Sequence, residues 1–294
     1  MVILRSAQQS VHPTWGGLRL KVSYSIKFMV LRSRPKRVTQ TVGCLLMTIT
    51  MSYGGGKQTV AMVTLVLEGK LPKPDFMVIA DTGREVQTTW DYLENVVQPA
   101  VKQIGLKVEI AGHELATVDL HRNDDLLLPT FTRQNGSIGK MPTLCSNEWK
   151  QRVIRRWLRE RGVNDTDVWL GISMDEAERM KGSGLNWYRH VYPLIEITPM
   201  NRSACVNQIM HYGWEVPHKS RCYMCPNQSP LAWKELKRRN DGDFEKAVAL
   251  ENEVRQKDQH VYFHPLAIPL EQAVEKSELQ TDMFDGCDSG YCFT

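Results

Sequence analysis

The chain has 294 residues, 42% hydrophobic and 24% charged, the balance of an ordinary folded protein with room for one large or two small domains. No apolar run approaches the roughly 18 residues that a membrane helix needs, so no membrane partner is expected. The net charge of +4 misleads: eight of the 37 Lys and Arg precede Met47 with no acidic residue among them, leaving residues 47–294 with 29 basic against 33 acidic side chains and no general affinity for nucleic acid.

The segment 1–44 is basic, serine-containing and free of acid. It reads either as an organellar transit-type sequence or as an extension ahead of a working start at Met47 or Met51, disordered or non-native, and it stays outside the fold expectation. The seven cysteines (Cys44, Cys145, Cys205, Cys222, Cys225, Cys287, Cys292) are an odd number spread over a long chain without a secretory signal. Reduced thiols, metal ligation or redox chemistry are therefore expected rather than a disulfide scaffold, in a cytoplasmic protein.

A hydrophobic run from Leu45 to Met51 predicts a strand. Ser52-Tyr53-Gly54-Gly55-Gly56-Lys57-Gln58-Thr59 follows, and Val60 to Leu67 predicts a helix. Strand, glycine turn and helix start make a cradle for an anion: glycines admit a ligand close to the backbone N–H groups, and the helix N-terminus adds partial positive charge. Lys57 brings a full charge and Thr59 a hydroxyl. The ordinary nucleotide P-loop needs Ser or Thr directly after Gly-Lys, and Gln58 breaks that pattern. Two readings stand at this point, a phosphate loop and a plain glycine-rich turn with a solvated lysine.

Leu71-Pro72-Lys73-Pro74 ends the helix. Asp75 to Ala80 reads as a strand buried on both faces, running into the polar turn Asp81-Thr82-Gly83-Arg84-Glu85. Thr88 to Ile104 predicts a helix with Trp90, Leu93, Val96, Val97 and Val101 on one side and an interruption at Pro99. Leu106 to Ile110 is a third strand. Alternating strands and helices point to parallel βαβ units, in which ligands bind beyond the C-terminal strand ends. The glycine loop and the 81–85 turn both lie there, which favours the phosphate reading.

Residues 112–144 lack periodicity. His113, Glu114, His121, Arg122, Asn123, Asp124 and Asp125 cluster, and Thr132 to Lys140 reads as a mobile loop. Ser146 or Asn147 is the expected cap of a helix that places Trp149, Val153, Ile154, Trp157 and Leu158 inward. Lys150, Arg152, Arg155, Arg156, Arg159 and Arg161 fill its other face, a solvated surface by default, with Lys150 the one aimed at a site. Asp167 to Ile172 is a fourth strand, followed by Ser173 to Arg179, where Arg179 either grips phosphate or pairs with a carboxylate one turn back. Tyr192 to Ile195 reads as a last short strand and Ser203 to Tyr212 as a helix carrying Cys205. Cys222-Tyr223-Met224-Cys225 is a Cys-x-x-Cys turn, suited to a metal, a cluster or a redox dithiol. The expected organisation is an extension (1–44), a nucleotide-binding α/β domain (45–200) and a Cys-containing helical subdomain with a tail (201–294).

Taken in order, these motifs resemble the phosphoadenosine phosphosulfate (PAPS) reductase family of the adenine nucleotide α-hydrolase-like, pyrophosphate-loop superfamily. Ser52–Thr59 is similar to its Ser-x-Ser-Gly-Gly-Lys-Asp-Ser loop, with Gly54 and Gln58 at a serine and the aspartate. Asp81-Thr82-Gly83-x-Glu85 is similar to its second motif, Cys145-x-x-x-Trp149-Lys150 to its Cys-x-x-x-x-Lys segment, Gly171-Ile172-Ser173-x-Asp175-Glu176-x-x-Arg179 to its Gly-x-Arg-x-x-Glu-Ser-x-x-Arg motif, and Cys222-x-x-Cys225 to its closing cysteine pair. The family's C-terminal Glu-Cys-Gly-x-His segment is absent, and Cys287 and Cys292 stand near the end instead.

The resemblance implies a doubly wound, mostly parallel, Rossmann-like α/β sheet and an enzyme that binds an adenylyl nucleotide, ATP or PAPS, for sulfonucleotide reduction or ATP-dependent sulfur transfer. It implies nucleotide contacts from Ser52, Gly54, Gly55, Gly56, Lys57, Gln58, Thr59, Asp81, Thr82, Gly83, Glu85, Gly171 and Arg179, with Lys57, Asp81 and Lys150 as catalytic groups and Asp81 and Glu85 positioning the nucleotide or a Mg²⁺ ion. Cys145, Cys205, Cys222 and Cys225 are the implied ligands of a 4Fe-4S cluster, with zinc as the alternative, and a sulfur acceptor or reductant protein is the implied partner. A rival expectation keeps the fold with a structural zinc site and no reductase activity, a nucleotide-binding module with nucleic-acid contact restricted to the Lys150–Arg161 patch.

Overall fold

The computed structural model describes residues 47–112 and 120–279. The expectations for residues 1–46 with Cys44, for His113 and Glu114, and for Cys287 and Cys292 lie outside the described residues.

The strand β1 (Thr48–Ser52) runs into the glycine turn, and α1 (Lys57–Leu67) follows. The helix ends at Leu67, with Gly69 in the left-handed region (φ 71°) before the prolines. β2 (Phe76–Ala80) leads through the 81–86 turn to α2 (Gln87–Tyr92). The helix then widens into a π turn over Leu93–Val97, where the Gln98 N–H donates to the Leu93 carbonyl five residues back, and tightens again as α3 (Gln98–Gln103). Pro99 explains the widening: it has no N–H, and its ring crowds the carbonyl four residues before it. β3 (Val108–Ala111) completes this half.

Residues 120–144 are not a loop. β4 (His121–Arg122) and β5 (Asp125–Leu126) form a hairpin, and so do β6 (Phe131–Gln134) and β7 (Ser137–Lys140). The turn residues Asn123 (φ 49°), Asp124 (φ 68°), Asn135 (φ 49°) and Gly136 (φ 79°) all take positive φ, the two-residue turn geometry that matches strand twist. The expected mobile loop at 132–140 is thus an ordered hairpin.

The next helix already turns at Cys145, passes through a second π turn (Asn147–Gln151) and continues as α4 (Arg152–Glu160). Ser146 is helical and caps nothing. The first free amide, that of Glu148, is satisfied by the Leu144 carbonyl at 3.3 Å, so the expected Ser146 or Asn147 cap is replaced by backbone. β8 (Thr166–Trp169), a 3₁₀ turn over Met174–Arg179 and β9 (Tyr188–Val191) follow. Residues 193–196 are not a strand but the short helix α5 (Pro193–Glu196), because a proline at the first helical position needs no N–H and has its φ preset. The remaining elements are α6 (Arg202–His211), α7 (Pro230–Arg239), α8 (Asp243–Lys257), β10 (Val261–Tyr262) and α9 (Leu270–Leu279). No described helix is long and apolar enough to cross a membrane.

The central sheet is five-stranded and parallel throughout, in the order β3-β2-β1-β8-β9. The chain winds outward from β1 in both directions, the doubly wound α/β arrangement expected. Alternation along β2 shows how both faces are covered: Met77 and Ile79 join the core under α1, α3 and α6, while Val78 and Ala80 join the core under α4 with Val153, Ile154, Trp157 and Leu158. A third core gathers Trp149, Trp233, Leu236, Phe244 and Phe263 with Leu127 and Leu128. The two directions of winding diverge between β1 and β8, and the crevice of such a sheet opens there, at the C-terminal strand ends.

Candidate functional site

The glycine turn sits at that switch point. Gly55 takes φ 72°, and a Cβ there would overlap Thr89 Cγ2. Only glycine fits. Gly56 is the residue before α1, and no side chain caps that helix, so its first amides remain available to a ligand. Lys57 is the first residue of α1 and half-buried, and among the described residues none pairs with its ammonium. Ser52 closes β1. Thr59 spends its hydroxyl on the Gly56 carbonyl at 3.0 Å, which braces the loop from inside.

Across the switch point, Gly171 lies so close to α1 that an added Cβ would meet Thr59 Cγ2 at 2.6 Å and the Thr59 amide at 3.1 Å. Its glycine serves close packing of the β8 exit against the loop. Gln58 donates through Nε2 to Glu176 Oε2 at 2.8 Å. Glu176 also holds Arg179 (Nη1 to Oε1, 2.7 Å) and Arg202 (Nη2 to Oε1, 3.0 Å). Of the two readings for Arg179, the structure shows the i,i+3 carboxylate pair. Gln58, standing where the resembled loop has an aspartate, is therefore the neutral partner of a buried carboxylate.

The 81–86 turn forms the adjacent wall. Asp81 Oδ1 accepts from the Gly83 N–H at 2.7 Å and so shapes the turn. Gly83 has φ 64° with open space where a Cβ would point. Arg84 lies over the Trp149 ring at 5.0 Å. Glu85 is the hub: its carboxylate meets Lys150 Nζ at 3.6 Å, Thr89 Oγ1 at 3.5 Å and Ser220 Oγ at 2.6 Å. The Ser220 hydroxyl also contacts the Gly54 carbonyl and serves one of these two acceptors at a time. Residues 84–86 pair with 221–223 through a Glu85–Cys222 bridge, with Val86 N donating to Arg221 O at 3.0 Å and Tyr223 N to Arg84 O at 2.8 Å. The Cys-x-x-Cys segment is thereby fastened to the turn beside the glycine loop. The second π turn brings Lys150 to the same place; such turns often re-aim a side chain at a site.

The thiols divide. Cys222 lies 3.7 Å from Thr82 Oγ1, and burial pushes its thiol up to about 12, with Lys150 opposing and Glu85 and Cys145 adding to the rise. Cys145 and Cys222 both pack against the core around Trp149 and Trp233, and Cys225 follows one turn on, its amide bonded to the Cys222 carbonyl at 3.1 Å. Cys205 sits elsewhere, fully buried in the core beneath α1 and α6. Burial, then Asp175 and Glu176, push it up to about 12 as well. The expected four-cysteine set is not brought together, because α6 is fixed to α1 by core packing and by Gln208, whose Nε2 donates to Thr64 Oγ1 at 3.2 Å and to Glu68 Oε2 at 2.8 Å. Among the described residues no group of three or more His, Cys, Asp or Glu is arranged to hold a metal ion. Among the described residues Cys205 is therefore not a further ligand beside Cys145 and Cys222.

Sequence reasoning missed Ser220, Arg202 and the part played by Glu176. Ser220 and Arg202 act over separations of 166 and 26 residues and carry no local signature.

No family model matches the chain, and no curated protein matches it. Among solved structures, a phosphoadenylyl-sulfate (PAPS) reductase from Candida auris in a phosphate complex is similar at 15% identity and a TM-score of 0.39, over 60% of this chain and 78% of that one. The U34-tRNA thiolase NcsA from Methanococcus maripaludis, with its [4Fe-4S] cluster, is similar at 12% identity and a TM-score of 0.39, over 80% of this chain and 71% of that one.

Proposed function

We propose that this chain is an enzyme of sulfur chemistry that binds the phosphates of an adenylyl nucleotide, ATP or PAPS, on the Gly54–Lys57 turn. One observation carries the reading: a three-glycine turn at the switch point of a doubly wound sheet leads into an eleven-residue helix with no side-chain cap, whose first residue is a lysine with no partner among the described residues. Backbone amides, helix dipole and Lys57 ammonium supply positive potential to a bound phosphate and to charge that builds up on it during transfer. The ordered motif resemblance selects the adenylyl nucleotide among phosphate ligands.

In this reading Lys150 adds a second cation from the side, held at 3.6 Å by Glu85 until a more negative ligand draws on it. Asp81 shapes the turn through the Gly83 amide. Ser220 and Thr59 hold the loop from behind. Cys222 stands near Lys150, Glu85 and Cys145, which supports sulfur chemistry beside the glycine turn. A sulfur acceptor or reductant protein completes the reaction.

The test is turnover with ATP and with PAPS in parallel, with a thiol reductant and a sulfur donor present, reading pyrophosphate and sulfite. Pyrophosphate from ATP assigns nucleotide-driven sulfur transfer; sulfite from PAPS assigns reduction. Neither product, with no binding of either nucleotide, overturns the reading.

A further inference from the structure

The basic face of α4 is unused by the nucleotide site. Arg152, Arg156 and Arg159 are exposed at i, i+4 and i+7 and form one stripe. Arg155 and Arg161 flank it. From Arg152 to Arg161 there are five arginines against one carboxylate, Glu160. Among the described residues the one acidic side chain paired with the stripe, Glu148, is buried and shared between Arg152 (2.6 Å) and Arg122 (2.8 Å). Arg156 has no partner among the described residues. This concentration of charge lies on a body that is otherwise net acidic.

Two features separate the stripe from an ordinary solvated face. Its cations are arginines, whose planar forks suit phosphate oxygens. One of the stripe and one flanking arginine are also held in place on aromatic rings: Arg159 lies 3.7 Å from the centroid of Trp187 and Arg161 3.7 Å from that of Trp157. Stacking fixes the guanidinium planes before any partner arrives. Arg159 covers a face of the half-buried Trp187, so its own guanidinium plane is the surface on which an unstacked base of a single strand rests. The stripe extends about 13 Å at 1.5 Å per residue. Its upper end continues into Lys150, which reaches Glu85 at the crevice.

We propose that the Arg152–Arg161 face binds the phosphate backbone of a single-stranded nucleic acid. The proposal rests on charge complementarity and stacking on this face and does not depend on the nucleotide reading. The full chain is titrated into a fluorescein-labelled 20-nucleotide single-stranded DNA across a range of salt concentrations. The basic segment before Met47 contributes equally to all variants, so the comparison is differential. Each lost phosphate contact lowers the slope of log K against log salt by about 0.7. Arg156→Ala is expected to lower it by about 0.7, and R156A/R159A by about 1.4, with binding at low salt weakened about tenfold or more. K234A/R238A, which removes the same charge from α7, is expected to leave the slope unchanged. Equal losses in the two double variants, no change in Arg156→Ala, or equal competition by a polyglutamate peptide or a duplex would each overturn the proposal. Lys57→Ala distinguishes the two sites: it is expected to leave the DNA titration unchanged whether or not it alters nucleotide binding.

Discussion

Gly55 is where the loop geometry depends most on a single atom. At φ 72°, with Thr89 Cγ2 inside contact distance of any Cβ, Gly55→Ala combines backbone strain with overpacking. We expect a loss of about 2–4 kcal/mol in urea unfolding. Gly83→Ala has similar φ but open space, so about 1 kcal/mol is expected there. Equal losses would mean that the Thr89 contact is immaterial. Gln58 offers a second test. Gln58→Glu sets a carboxylate against Glu176, now 2.8 Å from the amide donor. A loss of about 1–3 kcal/mol at pH 7 is expected, shrinking as acid protonates one partner of the pair. Glu176 was visible in the sequence as part of a charged turn. That its partner is Gln58, 118 residues away, was not, since nothing local specifies a contact across the switch point.

At the scale of elements, long apolar patterns were legible and short polar ones were not. The runs 45–51, 75–80 and 60–67 became β1, β2 and α1 because burial on both sides demands continuous hydrophobicity. The hairpins at 121–126 and 131–140 are exposed and polar, and their signal lay in the turn residues Asn123-Asp124 and Asn135-Gly136. In the C-terminal helices, Glu251 is buried and accepts from the Phe263 N–H at 2.7 Å and the Leu270 N–H at 2.6 Å, tying α8 to β10 and α9. Glu251→Ala orphans both amides, so about 2–5 kcal/mol of destabilisation is expected in thermal or urea unfolding, and Glu251→Gln should lose less. His264 is 1% exposed. Its Nδ1 accepts from the Leu266 N–H, and its Nε2 is buried without a partner among the described residues. Burial pulls it down from 6.5 to about 4. The unfolded chain takes up this proton first, so stability present above pH 6.5 is lost as pH falls toward 4, by up to about 3 kcal/mol. Glu251, pushed up by burial, works in the opposite direction. The comparison is therefore wild type against His264→Phe, which should flatten the fall between pH 6.5 and 4. An unchanged slope would exclude His264 as its source.

For the whole molecule, the strand–helix alternation was enough to place the glycine loop and the 81–85 turn on one sheet edge, and the all-parallel β3-β2-β1-β8-β9 sheet places them there. The cysteines show where that reasoning stops. Cys145 and Cys222 come together through the Glu85–Cys222 bridge and the packing of Trp149, whereas Cys205 is carried into a different core by α6. Spacing in the sequence cannot separate those outcomes, because each depends on which helix packs on which face. The central claim is that the glycine turn and Lys57 together hold nucleotide phosphates. Equilibrium titration of ATP and PAPS into wild type and Lys57→Ala tests it most directly. Saturable binding of at least one nucleotide, weakened roughly 10- to 100-fold by the substitution, about 1.4–2.8 kcal/mol, is the expected result. Equal affinity in the two proteins, or no binding to either, would contradict it.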